Sequence, residues 1–305
     1  AGALPAGEYQ IRVVAGGDTA NPAYDSGKVD LSGFGGQKLL LLAVNTVNST
    51  TKQTSPVKLV AYTDTAQLEL IDIRTTSGAR VVHLSPDAGA VEVFASSDAL
   101  GAASPLEIID SFSYTETDPS DGISYSYVPA ADDYTFTVSA AGNGFDNPAY
   151  SSPAPLELVK GSEYTVIAAG YLGMDPMFGL LPTQDSNRSI VTQASVKVVH
   201  GAPLAGTVDV FVTPADVYTK EEVESGAAGE PLLDNFTFGT ITDYVPVPPG
   251  DYDIRVVTDG GAGTAAINIE GFNLPAGSVS TVIAREQALV GTPLADDFGV
   301  VVLGN

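Results

Sequence analysis

The sequence predicts an all-β protein made of tandem antiparallel β-sandwich domains, immunoglobulin-like or transthyretin-like in kind. Three observations lead there: phrases that recur at a nearly constant, domain-sized spacing, short alternations of apolar and polar residues between turn signals, and the near absence of helical periodicity.

The recurrence is the strongest of the three. Gly-acid-Tyr-x-Ile-Arg-Val-Val occurs at Gly7–Val14 and again at Gly250–Val257, with a degenerate copy, "ADDYTFTV", at Ala131–Val138. Their tyrosines, Tyr9, Tyr134 and Tyr252, stand 125 and 118 residues apart. A second phrase, "VVHLSPDAGAVEVF" at Val81–Phe94, returns 117 residues later as "VVHGAPLAGTVDVF" at Val198–Phe211. A third, "GSEYTVIAAG" from Gly161, pairs with "GSVSTVIARE" from Gly277 and more loosely with "GGQKLLLLAV" from Gly35. The division that follows is an incomplete repeat over residues 1–76 and two fuller repeats over 77–194 and 195–305.

Within each repeat the tyrosine segment reads as a strand introduced by a proline turn, at Pro5, Pro129 and Pro248 with Pro249. Proline fixes φ and cannot donate to a ladder, so it marks where the strand begins. Tyr9, Ile11 and Val13 share one face, as do Tyr134, Phe136 and Val138, and Tyr252, Ile254 and Val256. The opposite face carries Gln10 and Arg12, Thr135 and Thr137, or Asp253 and Arg255, and is expected to meet water. One short helix is expected, within Ala215–Gly226.

Composition narrows the function classes. The 305 residues carry 37 Asp and Glu against 13 Lys and Arg, a net charge of -24, which opposes nucleic acid and anionic membranes as partners. No Cys is present, so disulfides, thiolate metal sites and thiol nucleophiles are excluded together. The longest apolar run, Leu39–Val44, is too short for a transmembrane segment. No Gly-x-Ser-x-Gly elbow, phosphate-binding loop, zinc-helix motif or dinucleotide fingerprint occurs.

The histidine phrase and its copy, joined to the "VPVPPGDY" turn at Val245–Tyr252, resemble the bacterial and archaeal domain of unknown function 4397. Members typically carry Val-Val-His-x-Ser-Pro-Asp-Ala-Pro-x-Val-Asp-Val, then a Pro-x-Gly-x-Tyr turn and a Tyr-Thr-Val strand. Gly89 stands where Pro is usual, and Ala202 and Leu204 replace the polar Ser and Asp in the last repeat. The resemblance implies exported, often tandem, surface modules of no settled activity.

Candidate site residues are few. His83 and His200, the only histidines, hold the same place in two repeats, on the apolar side at a strand end. They are read either as metal ligands or proton-transfer groups, or as buried rings bonded to a turn. With one histidine per repeat and no ligand beside it, the structural reading is preferred. Glu92 and Asp209 are expected to face solvent, and Lys58 and Lys197 to reach the surface from their strands. Glu116, Asp118 and Asp121 could converge on calcium, although their spacing is not that of an EF-hand loop.

The expected protein is therefore not an enzyme. It is a secreted or cell-surface structural protein, bacterial or archaeal, such as a fibre subunit or adhesin stalk. An extracellular binding module for glycans or calcium is the alternative. Aligned with its copies, the first repeat lacks its histidine strand, which predicts that the face of Tyr9, Ile11 and Val13 is completed by a preceding segment or a neighbouring subunit. Self-association into a head-to-tail polymer or a larger array follows from that expectation.

Overall fold

The structure, a computed structural model, describes residues 4–45, 55, 57–64, 66–258, 264–289 and 298–304. It divides into two compact units, Ala1–Gly78 with Tyr127–Asp133 and Leu156–Glu163, and Ala79–Ser126 with Tyr134–Pro155 and Tyr164–Asn305.

In the first unit, β1 (Glu8–Val13) pairs antiparallel with β2 (Tyr24–Asp30). A second antiparallel sheet runs β3 (Leu40–Asn45), β4 (Val57–Tyr62) and β5 (Gln67–Leu70). Tyr24, Leu59 and Leu70 form its core, and Ile11, Val13 and Val29 pack against them. Tyr24 is wholly buried, so its hydroxyl needs a partner; it donates to the Leu70 carbonyl at 3.0 Å.

The chain continues through β6 (Ser77–Leu84), β7 (Val91–Ser96), β8 (Leu106–Phe112), β9 (Thr117–Asp118), β10 (Ser126–Val128), β11 (Ala131–Ala140), β12 (Tyr150–Ser151), β13 (Leu156–Leu158), β14 (Glu163–Ala169) and β15 (Gly179–Gln184). Two sheets result, one ordered β6–β14–β15 with β9 beside β6, the other β12–β11–β7–β8. Val91, Val93, Ile109, Phe112, Val138 and Ala168 fill the space between them.

The last stretch repeats the plan with β16 (Ala194–His200), β17 (Val208–Pro214), α1 (Lys220–Glu224), β18 (Leu233–Phe236), β19 (Val245–Val247), β20 (Gly250–Thr258), β21 (Ala265–Leu274), β22 (Val279–Glu286) and β23 (Phe298–Gly304). Its sheets are β19–β16–β22–β23 and β18–β17–β20–β21, around Val208, Val210, Phe236, Ile254, Val256 and Ile267. The helix lies inside the expected segment and begins on a capping box, Thr219 with Glu222, which satisfies amide groups that the helix start leaves open. The fold is all-β with tandem sandwiches. The ladder of β16 with β22 departs from the antiparallel plan and runs parallel, Ser195 opposite Val279 through His200 opposite Ala284.

The tyrosine strands begin as their sequences suggest. The Tyr252 hydroxyl donates to the Pro248 carbonyl at 2.7 Å, and Tyr9 donates to Pro5 in the same way. Each ring thereby ties the strand start to the proline turn four residues upstream.

β6 and β16 are covered on both faces. Val82 and Leu84 of β6, with Ile167 and Ala169 of β14, meet Val199, Ile283 and Leu303 of the last repeat in a shared core. Val81 and Val198 face the opposite way, toward the cores of their own sandwiches. Strands buried on both faces carry adjacent apolar residues rather than strict alternation, as Val81 with Val82 and Val198 with Val199 do.

Candidate functional site

The two histidines occupy matching cages. His83 Nε2 lies 2.8 Å from the Gly89 carbonyl, and His200 Nε2 lies 2.9 Å from that of Gly206. A carbonyl only accepts, so Nε2 carries the proton in both rings. Nδ1 in turn accepts from the amide two residues on, Ser85 at 3.2 Å and Ala202 at 3.4 Å. Each ring is thus a neutral clamp closing a six-residue turn. Phe112 and Tyr114 flank His83 as Phe236 and Phe238 flank His200. Burial holds both imidazoles below their ordinary range, partly opposed by the bonds to Gly89 and Gly206. Gly89 and Gly206 adopt φ of 66° and 68°, a left-handed conformation that favours glycine and that proline cannot reach.

Between the last two repeats lies a buried polar cluster. Its centre is the fully buried carboxylate of Asp185. Oδ2 accepts from Thr165 at 2.5 Å and Tyr125 at 3.0 Å, and Oδ1 accepts from Tyr244 at 3.2 Å. Arg80 and Lys197 approach the two oxygens, each at 3.5 Å. Arg80 Nη1 also donates to the Gly304 carbonyl at 2.6 Å, in the other repeat, while Lys197 Nζ donates back to the Gln184 carbonyl at 2.6 Å. Arg80 lies over the Tyr125 ring and Lys197 over that of Tyr244.

These contacts are reciprocal. Arg80 and Lys197 hold the same place in the two copies of the histidine phrase, and Gln184 and Gly304 end the last strands of their repeats. The repeats therefore pair through a pseudo-two-fold axis, as isologous subunits do. Burial pulls the Lys197 ammonium below its usual value despite Asp185, and burial together with the Asp185 charge pushes Tyr244 up to about 12.

A second carboxylate seals the same boundary. Glu286 accepts from the Tyr171 hydroxyl at 2.5 Å in one repeat and the Leu204 amide at 2.6 Å in its own. Burial raises its pKa, against the pull of those two hydrogen bonds. Tyr114 donates to the Glu286 carbonyl at 2.5 Å, and the Leu289 amide donates to Pro86 at 2.8 Å.

Several expected surface charges are in fact anchors. Glu92 is buried and accepts from the amides of Gly142, at 3.2 Å, and Gly144; Asp209 accepts from Asn235 at 2.8 Å. A loop amide left in a dry place needs such an acceptor, which outweighs strand parity. Asp253 and Arg255 are likewise buried, 3.2 Å apart, and Arg255 Nε donates to Asn268 at 2.9 Å. They line a pocket of about 430 Å³ with Asp216, Tyr218, Lys220 and Glu270. Lys197 is buried rather than at the surface, whereas Lys58 pairs with Glu69 at 2.8 Å.

Glu116, Asp118 and Asp121 do not converge. Glu116 accepts from the Ser113 amide at 2.6 Å. Asp121 caps its own turn, accepting from the amides of Ile123 and Ser124 and the Ser124 hydroxyl, and these bonds lower it to about 2. Asp118 sits in β9, opposite Val81. Among the described residues no group of three or more His, Cys, Asp or Glu side chains is placed to hold a metal. Ile11 and Val13 of the first repeat pack on the Tyr24 cluster, and Tyr9 is half-buried beside them in sequence.

The architecture and its repeated histidine clamp define a tandem β-sandwich repeat protein. The chain belongs to the family described as Domain of unknown function (DUF4397), whose model matches residues 77–211 and 212–304. No curated protein matches it. Among solved structures, a "putative cell adhesion protein" from Bacteroides fragilis NCTC 9343 aligns over 75% of this chain and 97% of its own, at 10% identity and a TM-score of 0.16. That similarity carries no argument here.

Proposed function

We propose that the protein is a non-enzymatic structural module of a bacterial or archaeal cell surface, a stalk or filament component in which sandwich repeats are joined as rigid pairs. The observation that carries this reading is the shared core and buried Asp185 cluster, which weld two repeats into one body. A spacer needs stiffness at the joints between its domains, and a dry, reciprocally bonded boundary supplies it where a small polar interface leaves domains free to move. The acidic surface suits solvent exposure outside the cell. Cell fractionation with immunogold labelling of native cells tests it: label on the outer surface or on fibres supports the reading, and label confined to the cytoplasm contradicts it.

The pocket bordered by Arg255, Asp253, Asn268, Glu270 and Tyr218 favours a second reading, an extracellular module that binds glycans. Donors, acceptors and one aromatic ring around an open cavity of about 430 Å³ fit a hydroxylated ligand. Glycan-array binding abolished by Arg255→Ala would support that reading over the first.

A further inference from the structure

Repeats two and three differ on the face of one strand turned away from the sandwich core, and the difference builds a cavity. Asp253 lies opposite Thr213 and Arg255 opposite Phe211, as Thr135 lies opposite Ser96 and Thr137 opposite Phe94. The second repeat makes the same ladder with two threonines, so the fold does not require the Asp253–Arg255 pair. Taking such a pair out of water costs desolvation that its mutual attraction often fails to repay. The Arg255 and Asp253 side chains are nonetheless only 3% and 4% exposed. Arg12, which holds the place of Arg255 in the first repeat and pairs with Asp25, is 47% exposed.

The connection between β17 and β18, which carries α1, borders the pair and is pinned at both ends. The Asp216 amide donates to Asp253 at 3.2 Å, and Glu224 accepts from the Ala265 amide at 2.8 Å. Val223 of α1 is wholly buried with Phe211 and Val257. The cavity of about 430 Å³ is therefore preformed, as small-ligand pockets usually are. Arg255 commits Nε to Asn268 and Nη2 to Asp253, and its Nη1 has no partner among the described residues. Two donor hydrogens of a buried guanidinium thus remain for an acceptor in the pocket.

Charge decides the chemistry of that acceptor. The lining holds four carboxylates, Asp216, Glu221, Asp253 and Glu270, against two bases, Lys220 and Arg255, and Lys220 already pairs with Glu224 at 3.5 Å. Asp253 neutralises Arg255, and the Glu270 side chain, 68% exposed, stands 3.8 Å from the guanidinium. A carboxylated, sulfated or phosphorylated ligand that reaches Nη1 meets these like charges. A hydroxyl oxygen accepts from Nη1 without that repulsion, and neighbouring hydroxyls donate to the carboxylates in return. We propose that the pocket takes an uncharged sugar ring and rejects acidic sugars, with Arg255 Nη1 donating to one ring hydroxyl and Glu270 accepting from another. The proposal rests on the glycan-binding reading above and adds the charge class of the ligand to it.

Ligand-observed NMR titration of the full chain tests it, with glucose, mannose and galactose as neutral probes and glucuronate, mannuronate and galacturonate as their acidic counterparts. At least one hexose is expected to bind with a millimolar Kd, and its uronate at least about tenfold more weakly. Arg255→Lys keeps a charge beside Asp253 but loses the planar fork, and is expected to weaken hexose binding by at least about tenfold. Glu270→Gln, at an exposed position, is expected to narrow the gap between hexose and uronate by about threefold. It serves alone if Arg255→Lys fails to fold by circular dichroism. A uronate that binds as tightly as its hexose overturns the charge class and leaves the glycan reading standing, whereas binding of none of the six sugars overturns both. Hexose binding that survives Arg255→Lys, or a gap that Glu270→Gln leaves unchanged, overturns the site.

Discussion

Lys197 and Arg80, from two different repeats, approach opposite oxygens of one buried carboxylate, Asp185, each at 3.5 Å. One anion thus serves two cations, and neither cation has water to fall back on. Removing Asp185 strips both buried cations of the carboxylate nearest them, a change that costs about 3–5 kcal/mol for a single broken buried pair. Asp185→Ala is expected to lose at least that much in guanidinium unfolding. A loss below about 1 kcal/mol would show that the cluster is not dry.

Lys197 is the member of the cluster that burial pulls below its ordinary value of 10.5, against the pull of Asp185 and Asp243. A base with a depressed folded pKa is penalised for staying charged. Its stability contribution is lowest below the folded value, grows as pH rises through the window between the folded and ordinary values, and is complete above 10.5. Lys197→Met is therefore expected to cost little at pH 7, within about 1 kcal/mol, because Arg80 and Asp185 remain balanced. It is also expected to flatten the rise in stability between neutral and alkaline pH. Urea unfolding from pH 7 to 10 checks both, and a loss above about 3 kcal/mol contradicts them.

For His83 and His200 the sign runs the same way on a lower scale. Both are held below 6.5 by burial, so the stability of the neutral clamp is complete above 6.5 and is lost as pH falls through the depressed folded values. Ring-proton NMR across pH 4 to 8 is expected to show both rings neutral at pH 6.5, with the proton on Nε2. A midpoint at or above 6.5 for either ring would contradict the clamp.

Much of the fold was legible because its units repeat. The tyrosine strand, the proline turn and the histidine phrase recur in order, and the structure places each in the same strand of its sandwich. The polar cluster was not legible, for a physical reason. Asp185 lies in "PTQDSN" and Arg80 in "GARVVH", far apart in sequence, and strand parity assigns their neighbours to faces without saying which faces another repeat covers. Glu92 and Asp209 were misread likewise, since the amides they serve, of Gly142 and Gly144 in a turn and of Asn235 in β18, lie far from them in sequence. The one available signal was the adjacent pair Val81 and Val82, repeated as Val198 and Val199, which breaks the alternation of a half-buried strand.

The core of the last repeat contains a small apolar cavity of about 60 Å³, bordered by Val210, Ile254, Val282, Ala284 and Val300. Filling it adds dispersion contacts where none exist. Ala284→Val is expected to raise stability by about 1 kcal/mol, on the scale of one or two buried methyl groups. A drop in melting temperature would indicate that the space is already strained.

Repeats two and three are held to be one body, and hydrogen exchange of the native protein tests this most directly. Amides of β14 and β22, on either side of the shared core, are expected to exchange with the same opening free energy in the wild type and with separate ones in Asp185→Ala. Different opening free energies for the two strands in the wild type would contradict a single rigid pair.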